Sequence, residues 1–222
     1  MDVIEAITTR RSIRGYKPDP VPKEMLREIL EVSVRAPSAM NTQPWEITVV
    51  AGEVLDNIRK DNIEMMTSGN FPTPDISMKP YEGLFKQRQV DLAVEIFQLL
   101  GIAREDKEKR AEWMQKGFRF FDAPAAIIVS VDRSLDLSRP LNDIGAIVQT
   151  ICLTAMNHGL GTCITGQGIM FPEVVRKHTG IPDSKLTILS IAIGYPDWDF
   201  PANKLITSRE PLESNTTWHG FD

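Results

Sequence analysis

Five consecutive residues near the amino terminus, Arg10-Arg11-Ser12-Ile13-Arg14, put three guanidiniums and one hydroxyl within reach of a single anion. Guanidiniums bind phosphates through paired N–H donors, so this cluster could grip a phosphate and the polar edge of a ring. Composition alone favours the alternative, a basic patch on the surface. A second segment, Pro37-Ser38-Ala39-Met40-Asn41-Thr42-Gln43-Pro44-Trp45, brackets small and amide residues between prolines. Its donors and acceptors suit the rim of a flat heteroaromatic ligand, and equally suit an ordinary helix-to-strand connection. In a third, Gly161-Thr162-Cys163-Ile164-Thr165-Gly166-Gln167-Gly168, a strand runs into a glycine-rich loop. Backbone N–H groups there can approach a ligand closely, or the glycines serve a tight turn. Ser208-Arg209-Glu210-Pro211-Leu212 adds one more arginine that could return to the same anion.

Other chemistries find no support. Gly159-Leu160-Gly161 begins like a dinucleotide fingerprint, but Ile164 stands where the third glycine belongs. There is no P-loop, no G-x-S-x-G elbow and no local Cys-His pairing. Cys152 and Cys163, the only cysteines, read as core thiols in a reducing cytoplasm. His158, His178 and His219 lie too far apart for a zinc motif. A net charge of −5 leaves no basic excess for phosphate neutralisation, which excludes nucleic acid as the main partner. No run approaches the roughly 18 apolar residues of a membrane span, and residues 1–10 lack a signal-like apolar core. The expectation is a cytoplasmic enzyme that relies on a cofactor and has no membrane partner.

The elements that must position these residues follow from spacing. Asp2 can cap a short first helix that delivers Arg10. Leu26, Ile29, Leu30 and Val34 recur at helical intervals and Pro37 ends that helix. Residues 47–51, 125–131, 160–165 and 187–193 read as strands, the second apolar enough to be buried on both faces. Helices are expected over 53–66, 81–101 and 172–179, with a proline-rich loop over 69–80 and a solvated mixed-charge helix face over 104–110. After Pro140, apolar residues from Ile144 to Met156 go almost all the way round a helix, which must be enclosed by the core or by another chain. The polar, aromatic tail at 197–222 needs a surface to lie on, and a partner subunit is one answer.

In order and spacing, the R-R-S-x-R start, the P-S-x-x-N-x-Q-P-W loop, the late G-L-G strand and loop and the G-Y-P…R-x-P-L-E tail resemble the FMN-dependent nitroreductase family. The resemblance extends over nearly the whole chain. It implies an α+β fold, a mixed β-sheet flanked by helices, in an intertwined homodimer with FMN at the interface. The whole of 1–222 would be one FMN-binding domain, carrying a helical substrate lid at about 62–121 and a C-terminal extension at about 197–222. The resemblance places Arg10, Ser12 and Arg209 on the ribityl phosphate, Arg11 close by and Arg14 near the pyrimidine edge. Pro37, Ser38, Ala39, Met40 and Asn41 would approach the ring from the partner subunit, with Gln43 joining them. Thr165 and Gly166 would present a backbone N–H to the flavin N5, so no side chain acts as nucleophile. Two departures stand out: the family often has proline and glutamate where Cys163 and Thr165 stand, and a lysine where Thr207 stands.

The activity so implied is reduction of small organic acceptors, such as nitroaromatics or quinones, with NADH or NADPH as donor. Donor and acceptor would use one place in turn, giving ping-pong kinetics. In the lid, Lys79, Tyr81, Phe85, Trp113 and Phe120 are the substrate candidates, since aromatics can sandwich a planar acceptor and a lysine can meet its negative group. Each also suits an amphipathic helical hairpin with aromatic core contacts. Two alternatives are a flavin-dependent reductive dehalogenase of a halophenol, for which Lys79, Tyr81 and Glu82 offer the residue types, and a non-enzymatic flavin-binding protein.

Overall fold

The computed structural model describes residues 2–77 and 79–221. Four strands, β1 (Glu46–Ala51), β2 (Ala125–Asp132), β3 (Gly161–Thr165) and β4 (Lys185–Gly194), form one sheet in the order β1-β2-β4-β3. Each pairing is antiparallel. Parallel pairing among the described residues is confined to a single bridge between Ser12 and Thr162. The mixed character expected of the sheet therefore rests, within one protomer, on the basic segment lying along the open edge of β3. All four expected strands are present.

The described residues form seven helices: α1 (Val3–Thr9), α2 (Lys23–Ser33), α3 (Gly52–Thr67), α4 (Gly83–Leu99), α5 (Lys107–Phe118), α6 (Pro140–Asn157) and α7 (Pro172–Thr179). Asp2 caps α1 by accepting from the Ile4 N–H at 2.8 Å. Asp106 does the same for α5 through Lys109 at 3.0 Å, and a left-handed Gly180 ends α7. The two central strands explain the three layers. On β2, Ala125, Ile127, Val129 and Val131 face α2 and α6, while Ala126 and Ile128 face α3, α5 and α7. Every residue of β2 before Asp132 is buried, as its unbroken apolar run requires.

α6 is the spine of one layer. Ile144, Ile147, Val148, Ile151, Cys152 and Ala155 are buried by the sheet and α2. A strip through Leu141, Asn142, Gly145 and Gln149 stays exposed. The single protomer thus encloses this helix on most sides and leaves one side open. α4, by contrast, buries only Ile96 and exposes Leu84, Phe85, Val90 and Val94.

Candidate functional site

The basic segment leaves α1 and runs beside β3. The Ile13 N–H donates to the Thr162 carbonyl at 2.9 Å, and the buried Ile13 side chain lies over Gly161, where a Cβ would sit 2.5 Å from it. Gly161 is therefore required for a close approach rather than for a turn. The Tyr16 hydroxyl donates to the Ile13 carbonyl at 2.8 Å, and burial pushes its pKa well above the usual tyrosine value. It remains a donor that holds the segment in place.

Because residues alternate along an extended segment, Ile13 turns into the core and its neighbours turn outward. Arg10 and Arg11 line a cavity of about 260 Å³ with Met156, Gly161, Pro196 and Trp198. The Arg11 guanidinium stacks 5.4 Å above the Trp198 ring and donates to the Asn203 carbonyl at 3.4 Å. Among the described residues the Arg10 guanidinium has one hydrogen-bond partner, the Cys152 Sγ at 3.8 Å, and its Nε is buried without a partner. Among the described residues none of Arg10, Arg11 and Arg14 makes an ion pair, although the chain is acidic overall. A half-buried guanidinium with an unpartnered Nε and no counter-charge is a costly group unless an anion satisfies it. The donor set fits a phosphate.

Strand β3 leads from this cluster to the glycine loop. Thr165 lies three residues beyond Thr162, a separation of about 10 Å along the strand. Its carbonyl accepts from the buried Ser190 hydroxyl at 2.7 Å and its Oγ1 accepts from the Gln167 N–H at 3.2 Å. Space is open beside Gly166, where an added Cβ would meet nothing within 4 Å. Behind the strand, burial pushes the Cys163 thiol up to about 11, against the lowering effect of Arg14 and Arg10. Cys163 is an inert core thiol, as expected, and Cys152 is likewise buried and free.

The Pro37-to-Gln43 loop is fixed to the other end of α6. The buried Asp143 accepts from the Ala39 N–H at 3.1 Å, and the Ser38 hydroxyl accepts from the Gln43 N–H at 3.0 Å. Met40, Asn41 and Gln43 all have positive φ, and Met40 is 92% exposed. Left-handed conformation costs roughly 1–2 kcal/mol per non-glycine residue, and such strain is concentrated at functional sites. Asp143 and Cys152 are nine residues apart on α6, about 13 Å along its axis, so one protomer does not bring this loop onto its own Arg10.

Arg209 is not brought to Arg10 either. Its guanidinium donates to Thr207 Oγ1 and to the Ser208 carbonyl, both at 2.8 Å, and it lines a different cavity of about 560 Å³ with Arg88 and Asp91 of α4. Of the lid candidates, Lys79, Tyr81 and Phe85 are exposed. Trp113 stacks on Phe200, with ring centroids 6.5 Å apart and planes at 16°. Phe120 is fully buried with its ring against Gly168, which places it in the core rather than on a ligand-facing wall.

Three residues that matter to the site escaped the sequence reading. Asn203 is fully buried under the basic segment, in a tail with no period to mark it. Asp143 holds the second loop from within α6. Asn62 occupies a core-facing slot of α3 after Leu55 and Ile58, and a polar residue at that period was a signal that could have found it.

The profile of the nitroreductase family matches residues 7–195. A 4-nitrobenzoate reductase from Nocardioides sp. (strain LMS-CY) is 34% identical over 219 residues, covering 94% of this chain and 86% of that protein. Nitroreductase NfnB from Mycolicibacterium smegmatis is 28% identical, covering 95% and 89%. Among solved structures, an FMN- and NADPH-dependent nitroreductase NfnB from sphigopyxis sp. strain HMH superposes with a TM-score of 0.94 at 30% identity over all of both chains. The FMN-dependent NfnB from Mycobacterium smegmatis in complex with NADPH superposes at 0.91 and 26% identity over 97% of each.

Proposed function

This chain belongs to the nitroreductase family, and from that premise we propose that it is an FMN-dependent oxidoreductase that uses NADH or NADPH to reduce small organic acceptors such as nitroaromatics and quinones. The observation that carries the reading is the partnerless Arg10 Nε in a cluster of unpaired arginines, joined by β3 to the open Gly166 loop. Arg10, Arg11 and Ser12 would hold the phosphate of FMN and Arg14 would face the pyrimidine edge. The stretch of about 10 Å along β3 suits the chain that joins phosphate to ring. Thr165 and Gly166 would offer backbone groups to the reactive edge. FMN, when bound, supplies the two-electron reactivity, while the protein supplies orientation and charge.

The same reading requires a homodimer. The exposed strip of α6, the strained Pro37–Gln43 loop and the exposed Val3, Ile4 and Ile7 of α1 are surfaces that a second copy would cover. A second copy brings its Pro37, Ser38, Ala39, Met40 and Asn41 to the cofactor, which the local protomer cannot do across the length of α6. Arg209 would reach the phosphate only if the tail left its position against α4. Residues 62–121 are the substrate-covering segment, and the exposed Lys79, Tyr81 and Phe85 are its contact candidates.

The test begins with the visible spectrum of the purified protein. Flavin bands that bleach anaerobically with NADH or NADPH, and return when a nitroaromatic is added, support the assignment. A colourless protein that cannot be loaded with FMN overturns it. Parallel double-reciprocal lines support one shared place for donor and acceptor, and intersecting lines refute it.

A further inference from the structure

The turn after β4 holds the basic segment from behind. The Asp197 N–H donates to the Gly15 carbonyl at 3.1 Å, and Phe200 lies so close that a Cβ on Gly15 would sit 2.3 Å from its ring. Beside it Asn203 is fully buried and its amide is saturated. Oδ1 accepts from the Arg14 N–H at 2.6 Å and the Gly15 N–H at 3.2 Å. Nδ2 donates to the carbonyls of Gly15 and Asp197, both at 2.7 Å. The amide orientation is determined, because a flipped amide would set donor against donor and acceptor against acceptor at all four contacts.

We infer that Asn203 is a positioning residue: it sets the backbone at Arg14, and so aims the Arg14 guanidinium, before any cofactor arrives. Three arginines in five residues repel one another, and among the described residues no carboxylate pairs with them. Something uncharged must therefore fix the turn. An aspartate at 203 would accept the same two N–H groups, but it would face two carbonyls with lone pairs and place a negative charge under the cluster. An amide satisfies both donors and both acceptors and leaves the positive field free for an anion. The turn is itself braced from the lid side, where Trp113 stacks on Phe200 and the Lys116 ammonium lies 5.3 Å from the Phe200 ring.

The inference rests on the FMN reading above, with Arg14 at the pyrimidine edge. There a guanidinium favours the reduced, more negative flavin, so loss of aim should lower the midpoint potential of bound FMN. The experiment measures that potential in the wild type, Asn203→Ala, Arg14→Gln and the double variant, with thermal unfolding recorded for each. Asn203→Ala is expected to shift the potential to more negative values in the wild-type background and to add nothing once Arg14 is gone. An unchanged potential, or an equal shift in both backgrounds, overturns the inference, because a merely structural loss would not depend on Arg14. Should Asn203→Ala fail to fold, Asn203→Ser replaces it, and amide exchange in the wild-type apoprotein gives an independent readout. Slow exchange at the Arg14 and Gly15 N–H groups before FMN is added supports positioning, and rapid exchange refutes it. A wild-type chain that takes up no FMN overturns the functional reading itself, whereas the inference alone fails against a wild type that binds it.

Discussion

Asn62 of α3 donates its amide to the Gly168 carbonyl at 2.9 Å and to the Phe118 carbonyl at 3.1 Å, from a fully buried position. One side chain therefore ties the end of α5 to the loop that follows Gly166. Its Oδ1 is buried without a partner, so these two contacts are all the amide gains. Leucine has the same branched four-atom side chain but cannot donate, and Asn62→Leu would leave two buried carbonyls unsatisfied. The expected cost is about 2–4 kcal/mol, since each orphaned group carries its full desolvation penalty. Thermal unfolding checks this, and amide exchange should quicken first in residues 115–119 and 166–170, where the tie is lost. Unchanged stability would show that the amide contributes nothing at this position.

Which parts of this arrangement were legible beforehand depended on whether the signal was local. The strands at Ala125–Asp132 and Lys185–Gly194 announced themselves as apolar runs, and α6 did so through an almost continuous apolar circumference. The basic segment was visible because three arginines fall within five residues. Asn203 was not, because its four partners lie at Arg14, Gly15 and Asp197, and nothing in the spacing of the tail announces a contact across 188 residues. Aromatic composition suggested Phe120 as a ligand contact. Its positive φ of 55°, and the glycine at 168 that makes room for its ring, turn it into the core instead.

Arg10 should separate phosphate recognition from ring recognition. Among the described residues its guanidinium meets no carboxylate, its Nε is unpartnered and its one contact is the weak acceptor Cys152 Sγ, which leaves donors for an anion. Arg10→Ala is expected to weaken FMN binding by roughly ten- to a hundredfold, the equivalent of one charge-assisted contact of about 1.5–3 kcal/mol. Riboflavin, which lacks the phosphate, should bind the variant and the wild type alike. Fluorescence titration with both flavins decides the matter, and equal losses for the two would remove Arg10 from the phosphate.

Gly168 faces Phe120 so closely that a Cβ would lie 2.4 Å from the ring. Phe120, Phe121 and Asp122 form a run of three left-handed residues, pinned by Arg119 on Asp122 at 2.8 Å and by Arg59 on the Arg119 carbonyl at 3.0 Å. A ring held by such a backbone has no room to withdraw. Gly168→Ala is therefore expected to cost about 1–3 kcal/mol through overpacking. Adding Phe120→Leu should recover part of that loss even though Phe120→Leu alone destabilises. Additive losses in the double variant would show that the two positions do not press on each other.

Acid should loosen the loop at Asp75 before it unfolds the sheet. Burial pushes Asp75 up, but the Thr187 N–H at 2.8 Å, the Arg176 guanidinium at 2.8 Å and the Thr187 hydroxyl at 2.9 Å outweigh it and hold its pKa below the ordinary 3.8. Lys177 and His178 likewise lower Asp61, which joins α3 to α7. A carboxylate whose folded pKa is depressed contributes stability that is fully present above its unfolded value and is lost as pH falls through the folded one. Wild-type stability should thus be insensitive to these groups near neutrality and decline below about pH 4. Asp75→Asn removes the charge that Arg176 and Thr187 share, and is expected to cost about 2–4 kcal/mol at pH 7. Its stability curve should also be flatter than that of the wild type between about pH 4 and pH 2, because the titrating group is gone. Denaturant unfolding across that range makes the comparison, and parallel curves would show that Asp75 does not anchor the 69–80 loop through its charge.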